Sequence, residues 1–276
     1  MNYQHIYHAG NFADVLKHII LLQVITALQK TKRPIFMLDT HAGRGRYNLK
    51  SLEANRSGEF HAGIGHLFNQ PFNHLPDPVA HYMHFIKMLN KNDQLTYYPG
   101  SPIFIEKSLR PQDRAAFCEL NEKEFFKLHA LMHSHKNIKL VHGDGYEALM
   151  SFMPPREKSG LVLIDPPFEQ RDEIMILEKS IVHAIQKWPN GCFMLWYPVK
   201  EAETFNAHYD VLQKTNLPNI LFELEMPCNQ HSESLKSMRK TAVIVLNPPQ
   251  DLIDNQQDIH ALDKILFPES VSELVS

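Results

Sequence analysis

Apolar residues along the chain fall into two alternating patterns. Short runs of β-prone residues recur at 35–39 (IFMLD), 115–119 (AAFCE), 138–142 (IKLVH), 161–164 (LVLI), 192–197 (CFMLWY), 220–226 (ILFELEM) and 241–246 (TAVIVL). Runs of this kind predict strands buried on both faces, as in a parallel sheet. Between them the spacing turns helical. Val15, Ile19, Leu22, Ile25 and Leu28 predict a helix over roughly 12–30, started by Gly10 or Asn11. Val79, Tyr82, Met83, Ile86 and Leu89 predict another, with Asp77 as N-cap and Pro78 at the first helical position. Seven strands with helices between them predict an α/β architecture. The last two strands are joined by the polar stretch 227–240, which leaves no room for a packed crossover helix, so they form an antiparallel hairpin.

The chemistry gathers at the strand ends. Residues 161–164 run into Asp165-Pro166-Pro167-Phe168. Pro166 forces Asp165 out of helical geometry, and two prolines cannot continue a sheet. Asp165 and Phe168 are therefore held on a stiff turn past the strand's C-terminal end, where open α/β sheets bind ligands. A carboxylate, proline carbonyls and a flat ring suit a planar group bearing an amine, such as a nucleobase edge. The strand at 35–39 ends in Asp39, followed by Thr40-His41-Ala42-Gly43-Arg44-Gly45-Arg46, where glycines let a cofactor approach the backbone. The strand at 138–142 ends at Gly143-Asp144-Gly145, where Asp144 can take an adenine amine and Gly145 lets the ring lie close. Asn247-Pro248-Pro249-Gln250 looks similar to the 165–168 corner but lacks the ring. It also closes an antiparallel strand, so it points to the opposite edge and is structural. The N-terminal stretch 3–18 crowds Tyr3, His5, Tyr7 and His8 before Asp14, Lys17 and His18, which lie one turn apart and can share a cleft or form a solvated helix start.

In a dinucleotide-type fold a ribose-binding acid follows the first strand by about 20 residues. Here the next strand-end acid is Glu119, far later, which predicts a helical insertion at 48–96. Tyr97-Tyr98-Pro99-Gly100-Ser101-Pro102 marks the return, with Pro102 starting the helix that leads to Glu119. The organisation is thus 1–47 (N-terminal segment, helix and first strand), 48–96 (inserted helical subdomain) and 97–276 (the remainder of the main domain).

At 276 residues the chain holds one large α/β domain with such an insertion. A net charge of −3 excludes nucleic-acid binding through bulk basicity, so any contact must come from local patches. Lys236, Arg239 and Lys240 in the 227–240 loop, with Lys17, Arg44, Arg46 and Arg171, are the candidates for phosphates. Cys118, Cys192 and Cys228 are scattered and lack metal-ligand spacing, which fits a reducing cytosol. No uninterrupted apolar segment of about 18 residues appears and the N-terminus is polar, so a cytoplasmic protein without a membrane span or signal peptide is expected.

Asp165-Pro166-Pro167-Phe168 resembles motif IV, Asp-Pro-Pro-aromatic, of S-adenosylmethionine-dependent amino-methyltransferases. Residues 39–45 resemble motif I, Asp-x-Gly-x-Gly-x-Gly: Asp39, Gly43 and Gly45 are kept, and His41 stands in place of the first glycine, suggesting that its side chain contacts the cofactor. Glu119 and Asp144-Gly145 follow in the expected order. The strings YQHIYHAGNFADVLKH, THAGRGRY, YYPGSP and WYP, with the long insertion, resemble the RlmJ family of 23S ribosomal RNA adenine-N6 methyltransferases over most of the chain.

The resemblance implies a class I S-adenosylmethionine-dependent methyltransferase fold, a Rossmann-like seven-stranded sheet ordered 3-2-1-4-5-7-6 with its last strand antiparallel. It implies S-adenosyl-L-methionine as cofactor, 23S rRNA, protein-free or partly assembled, as substrate, adenine 2030 as target, and a monomer that needs no metal. His18, His41, Ser101, Glu119, Asp144, Gly145 and Asp165 would line the cofactor pocket, with Glu119 on the ribose hydroxyls and Asp144 with Gly145 at the adenine. Tyr3, His5 and Lys17 would lie at the substrate mouth, Tyr3 against the RNA. Asp165 would be catalytic, accepting the target amine's hydrogens together with the Pro166 carbonyl, while Phe168 stacks on the extruded base. The family's tetrapeptide usually ends in Tyr; Phe168 keeps the stacking face and loses a hydroxyl. Three other readings remain. A DNA adenine-N6 methyltransferase usually carries a larger recognition domain than this insertion, and a protein-glutamine methyltransferase favours Asn in place of Asp165. The third is a non-catalytic RNA-binding module.

Overall fold

The computed structural model describes residues 4–169, 172–227, 238–260 and 262–267. Tyr3, Arg171, Cys228 and Lys236 lie outside the described residues. The strands are β1 (Phe36–Asp39), β2 (Arg46–Asn48), β3 (Tyr97–Pro99), β4 (Arg114–Glu119), β5 (Ile138–His142), β6 (Gly160–Ile164), β7 (Gly191–Val199), β8 (Asn219–Glu225) and β9 (Lys240–Leu246). Seven of them form one sheet in the order β5-β4-β1-β6-β7-β9-β8. Neighbours from β5 to β7 are parallel, and β9 runs antiparallel to both β7 and β8. This is the class I S-adenosylmethionine-dependent methyltransferase sheet, with the expected hairpin at its end. All parallel strands point their C-terminal ends to the same edge, so the acids that close β1, β4 and β6 converge there.

The helices are α1 (Phe12–Gln29), α2 (Leu52–Ser57), α3 (Ile64–Phe68), α4 (Asp77–Leu89), α5 (Ser101–Ser108), α6 (Glu122–Met132), α7 (Gly145–Phe152), α8 (Glu173–Lys187) and α9 (Ala202–Gln213), with short C-terminal turns after β9. The pattern predicted a single apolar stripe on α1, but the structure buries α1 on nearly all sides, Asp14, Lys17 and His18 included. By length and composition α1 is apolar enough to cross a membrane, with a mean hydropathy of 1.4, yet 78% of it is buried inside the domain. A helix apolar all round is a core helix when other elements cover it. The sheet covers one side of α1 and the insertion covers another: Val79, Tyr82, Met83 and Ile86 of α4 share its core. Asn11 is its N-cap, accepting from the Asp14 N–H at 2.9 Å.

β2 and β3 pair antiparallel, Tyr47 opposite Tyr98, and close the neck of the insertion. Asp77 proves to be the first residue of α4 and not its cap; Pro76 holds the cap position, and Pro78 sets the first turn. The insertion also touches the N-terminal segment. The Ile64 N–H donates to the Gly10 carbonyl at 2.9 Å, and a Cβ on Gly63 would lie 2.3 Å from that same oxygen, so only glycine permits the approach. At the other end of the sheet, Asn247 donates its amide to the Pro189 and Gly191 carbonyls at the start of β7. The second proline tetrapeptide is therefore a strand-end fastening on the edge opposite Asp165.

Candidate active site

The C-terminal ends of β1, β4, β5, β6 and β7 and the start of α1 surround a cavity of about 820 Å³. Every site residue predicted from sequence within the described residues lines it. His5, Lys17 and His18 come from the N-terminal segment and α1. His41 follows β1, and Ser101 starts α5. Glu119 ends β4, Asp144 and Gly145 follow β5, and Asp165, Pro166 and Phe168 follow β6.

A chain of charges joins two of these regions. Asp14, buried at 2% exposure, accepts from the Gly10 N–H at 2.9 Å and from His5 Nε2 at 2.9 Å through one oxygen. Its other oxygen holds Lys17 Nζ at 2.8 Å. The same ammonium donates to Asp165 Oδ2 at 2.5 Å and sits 5.6 Å from the centre of the Trp196 ring. Burial alone would lower the Lys17 pKa, but the Asp14 and Asp165 carboxylates outweigh it and hold it above the ordinary value. Burial would likewise raise Asp14, and the charges of His5 and Lys17 hold it well below the usual carboxylate range. Lys17 is thus a buried cation bridging two carboxylates, and it is not exposed at the mouth for phosphate.

The residues expected to face a cofactor are fixed mostly by backbone. Glu119 accepts from the Gly43 N–H at 2.8 Å and the Asn121 N–H at 2.6 Å; burial raises its pKa against those two donors. Asp144 caps α7, accepting from the N–H groups of Tyr146 at 2.7 Å and Glu147 at 3.1 Å. A Cβ on Gly145 would stand 2.2 Å from the Thr40 carbonyl oxygen, so β1 and α7 approach this closely only because that residue is glycine. Burial lowers the His41 pKa to about 4, leaving a neutral ring 2.8 Å from the Thr40 hydroxyl and edge-on to Tyr146. Burial pushes Asp39 up to about 7; the Ser101 hydroxyl pulls against this, and the Asp165 charge adds to it. One Asp39 oxygen accepts from the His41 N–H at 3.2 Å, and the other is buried without a partner. His18 is also held neutral by burial. Tyr82 donates to the Tyr98 hydroxyl at 3.2 Å, and the same hydroxyl is hydrogen-bonded to His18 Nδ1 at 2.7 Å.

The family model for "Ribosomal RNA large subunit methyltransferase D, RlmJ" matches residues 32–272. The chain belongs to the RlmJ family. It is 36% identical over 271 residues to ribosomal RNA large subunit methyltransferase J of Haemophilus influenzae, covering 98% of this chain and 95% of that one. It is 33% identical over 259 residues to the Escherichia coli protein of the same name, covering 94% and 91%. The crystal structure of a Legionella pneumophila protein superposes with a TM-score of 0.86 at 33% identity, covering 95% of both chains.

In this RlmJ-family chain the proline corner is buttressed from behind. Phe168 has φ +51, and its ring packs 5.2 Å from Tyr197 and 6.1 Å from Trp196. The Tyr197 hydroxyl is hydrogen-bonded to His208 Nε2, and His208 Nδ1 lies 2.8 Å from Glu178. Tyr197, which lies in the WYP string, His208 and Glu178 belong to β7, α9 and α8, so no local motif linked the three. Asp14 was visible as part of the helical cluster with Lys17. Its role as the shared acceptor required the fold of residues 5–10 back over α1.

Among the described residues, the cations expected to meet phosphate contact other groups of the protein. Arg44 is in contact with Glu124, with a second bond of 2.7 Å, and Arg46 lies over the Tyr97 ring at 5.0 Å. Lys240 reaches Glu223 at 2.7 Å, and Arg239 lies 3.7 Å from Glu225. Met238, beside the 227–240 loop's far end, lines the cavity. Among the described residues no group of three or more His, Cys, Asp or Glu side chains is placed to hold a metal ion.

Proposed function

We propose that this protein is a ribosomal RNA methyltransferase that transfers a methyl group from S-adenosylmethionine to N6 of an adenine in 23S rRNA, the position corresponding to adenine 2030. The observation that carries the reading is that the Asp165–Phe168 corner and the Gly43 turn open onto one cavity that Glu119, Asp144 and Gly145 also line. A volume of about 820 Å³ lies within the range of small-molecule sites and leaves room for a nucleobase beside the cofactor. The two acids lining the cavity at 119 and 144 suit a ligand with ribose hydroxyls and an adenine amine.

S-adenosylmethionine supplies an electrophilic sulfonium methyl. The protein's part is to expose and aim the acceptor nitrogen. The adenine leaves its stack at a cost of a few kcal/mol and is received by the face of Phe168. Lys17 occupies Asp165 Oδ2, which leaves Oδ1 to accept one N6 hydrogen while the Pro166 carbonyl accepts the other. Those bonds favour a pyramidal nitrogen, whose lone pair is localised and directed. Catalysis is then mainly positioning and electrostatics. Asp165 takes the proton after the methyl has moved, because a neutral aromatic amine is too weak an acid to ionise first. Tyr3, from the resemblance, contacts the RNA. The reading extends to a cytoplasmic monomer that needs no metal and acts on protein-free or partly assembled RNA.

Mapping N6-methyladenine in 23S rRNA by mass spectrometry, from cells with and without the protein, tests the target. Asp165→Ala should abolish transfer in a protein that still folds, with Lys17 held by Asp14 alone and the thermal transition lowered by the lost ion pair; wild-type turnover in that variant refutes the assignment of Asp165. Transfer to duplex DNA in preference to 23S rRNA would favour the DNA methyltransferase instead.

A further inference from the structure

The open edge of the sheet carries a feature that the cavity does not use. β5 is hydrogen-bonded to β4 on one side and forms the sheet's outer edge. Along it and α6 runs a ladder of rings. His133 stacks on His129 at 5.3 Å with planes 11° apart, His129 lies 6.1 Å from Phe125, and Phe125 stacks on His142 of β5 at 4.9 Å with planes 20° apart. His129, His133 and His142 are exposed, and Phe126 beside them is 62% exposed. Exposed Lys123 and Lys136 flank the rings, while Lys127 is paired with Glu124 at 3.4 Å and Lys139 lies over the Phe152 ring at 5.1 Å. The acids of the same segment are Glu122 and Glu124, and Glu124 is engaged by Arg44. The local balance is therefore positive on a chain of net charge −3. The ladder also starts at the cavity: Leu120 and Glu124 line it, and Phe125 is the next residue.

We infer that α6 and the β5 edge form a docking track for a single-stranded RNA segment flanking the target adenine. Bases stack on Phe126, His129 and His133, and the lysines meet the phosphates. The inference rests on the ribosomal RNA reading above and extends it to a surface outside the catalytic cavity. Every base offers a π face, so such a track is tolerant of sequence, and the lysines add a salt-sensitive contribution. Lysine on an edge strand also disfavours addition of a protein strand, which argues for RNA at this edge.

The test uses the full chain and two variants, F126A/H129A/H133A and K123A/K136A. Affinity is read by fluorescence anisotropy with a short fluorescein-labelled oligoadenylate, and transfer with a protein-free 23S transcript. Loss of ring stacking should weaken oligonucleotide binding by about tenfold or more, since each stacked base contributes roughly 5- to 150-fold. Loss of the lysines should make the salt dependence shallower by about 0.7 in log–log slope per phosphate contact. In both variants the KM for the transcript should rise while kcat, S-adenosylmethionine affinity and the thermal transition stay unchanged. Wild-type RNA affinity in both variants overturns the track. A wild-type protein that methylates no ribosomal transcript overturns the functional reading instead, and the affinity measurement still decides the track.

Discussion

Replacing Lys17 with methionine should expose what the buried charges do. The ammonium is 4% exposed and lies 2.8 Å from Asp14, itself 3% exposed, and 2.5 Å from Asp165, which is 15% exposed. Methionine keeps the bulk of the stem, so the main loss is the cation. Removing one partner of a buried ion pair costs roughly 3–5 kcal/mol, because the remaining charge is left uncompensated. At roughly 2–4 °C per kcal/mol for a chain of this size, K17M should melt about 6–20 °C below the wild type. The loss must also depend on pH. With the ammonium gone, His5 is left as the main group opposing burial at Asp14, so the Asp14 pKa rises from its depressed value, and its ionised form is penalised above the new value and relieved below it. Urea denaturation at pH 8 should therefore show a larger loss than at pH 5. D14N/K17M removes both the cation and the more buried of its two carboxylate partners, and it should be less destabilised than the two single changes predict together, by about 1–3 kcal/mol. A K17M loss under about 1 kcal/mol, or one equal at the two pH values, would show that Asp14 and Asp165 are compensated by something other than Lys17.

Asp39 gives the opposite sign. Its folded-state pKa of about 7 lies above the ordinary 3.8, so folding opposes its ionisation. The wild type should lose stability as pH rises from 4 to 7, by up to ~4 kcal/mol, and no further above that. D39N should gain on the wild type across that window, and a gap independent of pH in thermal scans would rule the argument out. Gly145→Ala drives a Cβ to within 2.2 Å of the Thr40 carbonyl. It should cost about 1–3 kcal/mol and weaken S-adenosylmethionine binding measured by calorimetry; unchanged affinity and stability would mean that α7 shifts freely. His208→Ala leaves the buried Tyr197 hydroxyl without its partner and should cost about 1–3 kcal/mol before any packing loss. It should also raise the KM for RNA through the Phe168 contact, and a variant with both quantities unchanged would detach that network from the corner.

The seven strands were legible because each is a short apolar run whose end is marked by an acid, a glycine or a proline. Those features act locally on the backbone and need no knowledge of distant contacts. The same local rules brought Asp39, Glu119, Asp144 and Asp165 to strand ends, and parallel strands put strand ends on one edge. The helix Asp77–Leu89 was legible from its apolar spacing. The state of α1 was not. Its periodicity suggested one buried face, and only the covering by α4 made Asp14, Lys17 and His18 interior residues. Nor could spacing show that the ammonium of Lys17 is spent on Asp14 and Asp165, or that Arg44 is held by Glu124. Sequence alone determined the order of strands along the chain and the chemistry presented at their ends, since propensity and turn geometry depend on neighbours in the chain. Tertiary structure decided which charges are buried, which are paired, and which rings stand behind the corner. Burial and pairing depend on segments far apart in sequence, such as residues 14 and 165 or 178, 197 and 208, whose meeting is set by packing.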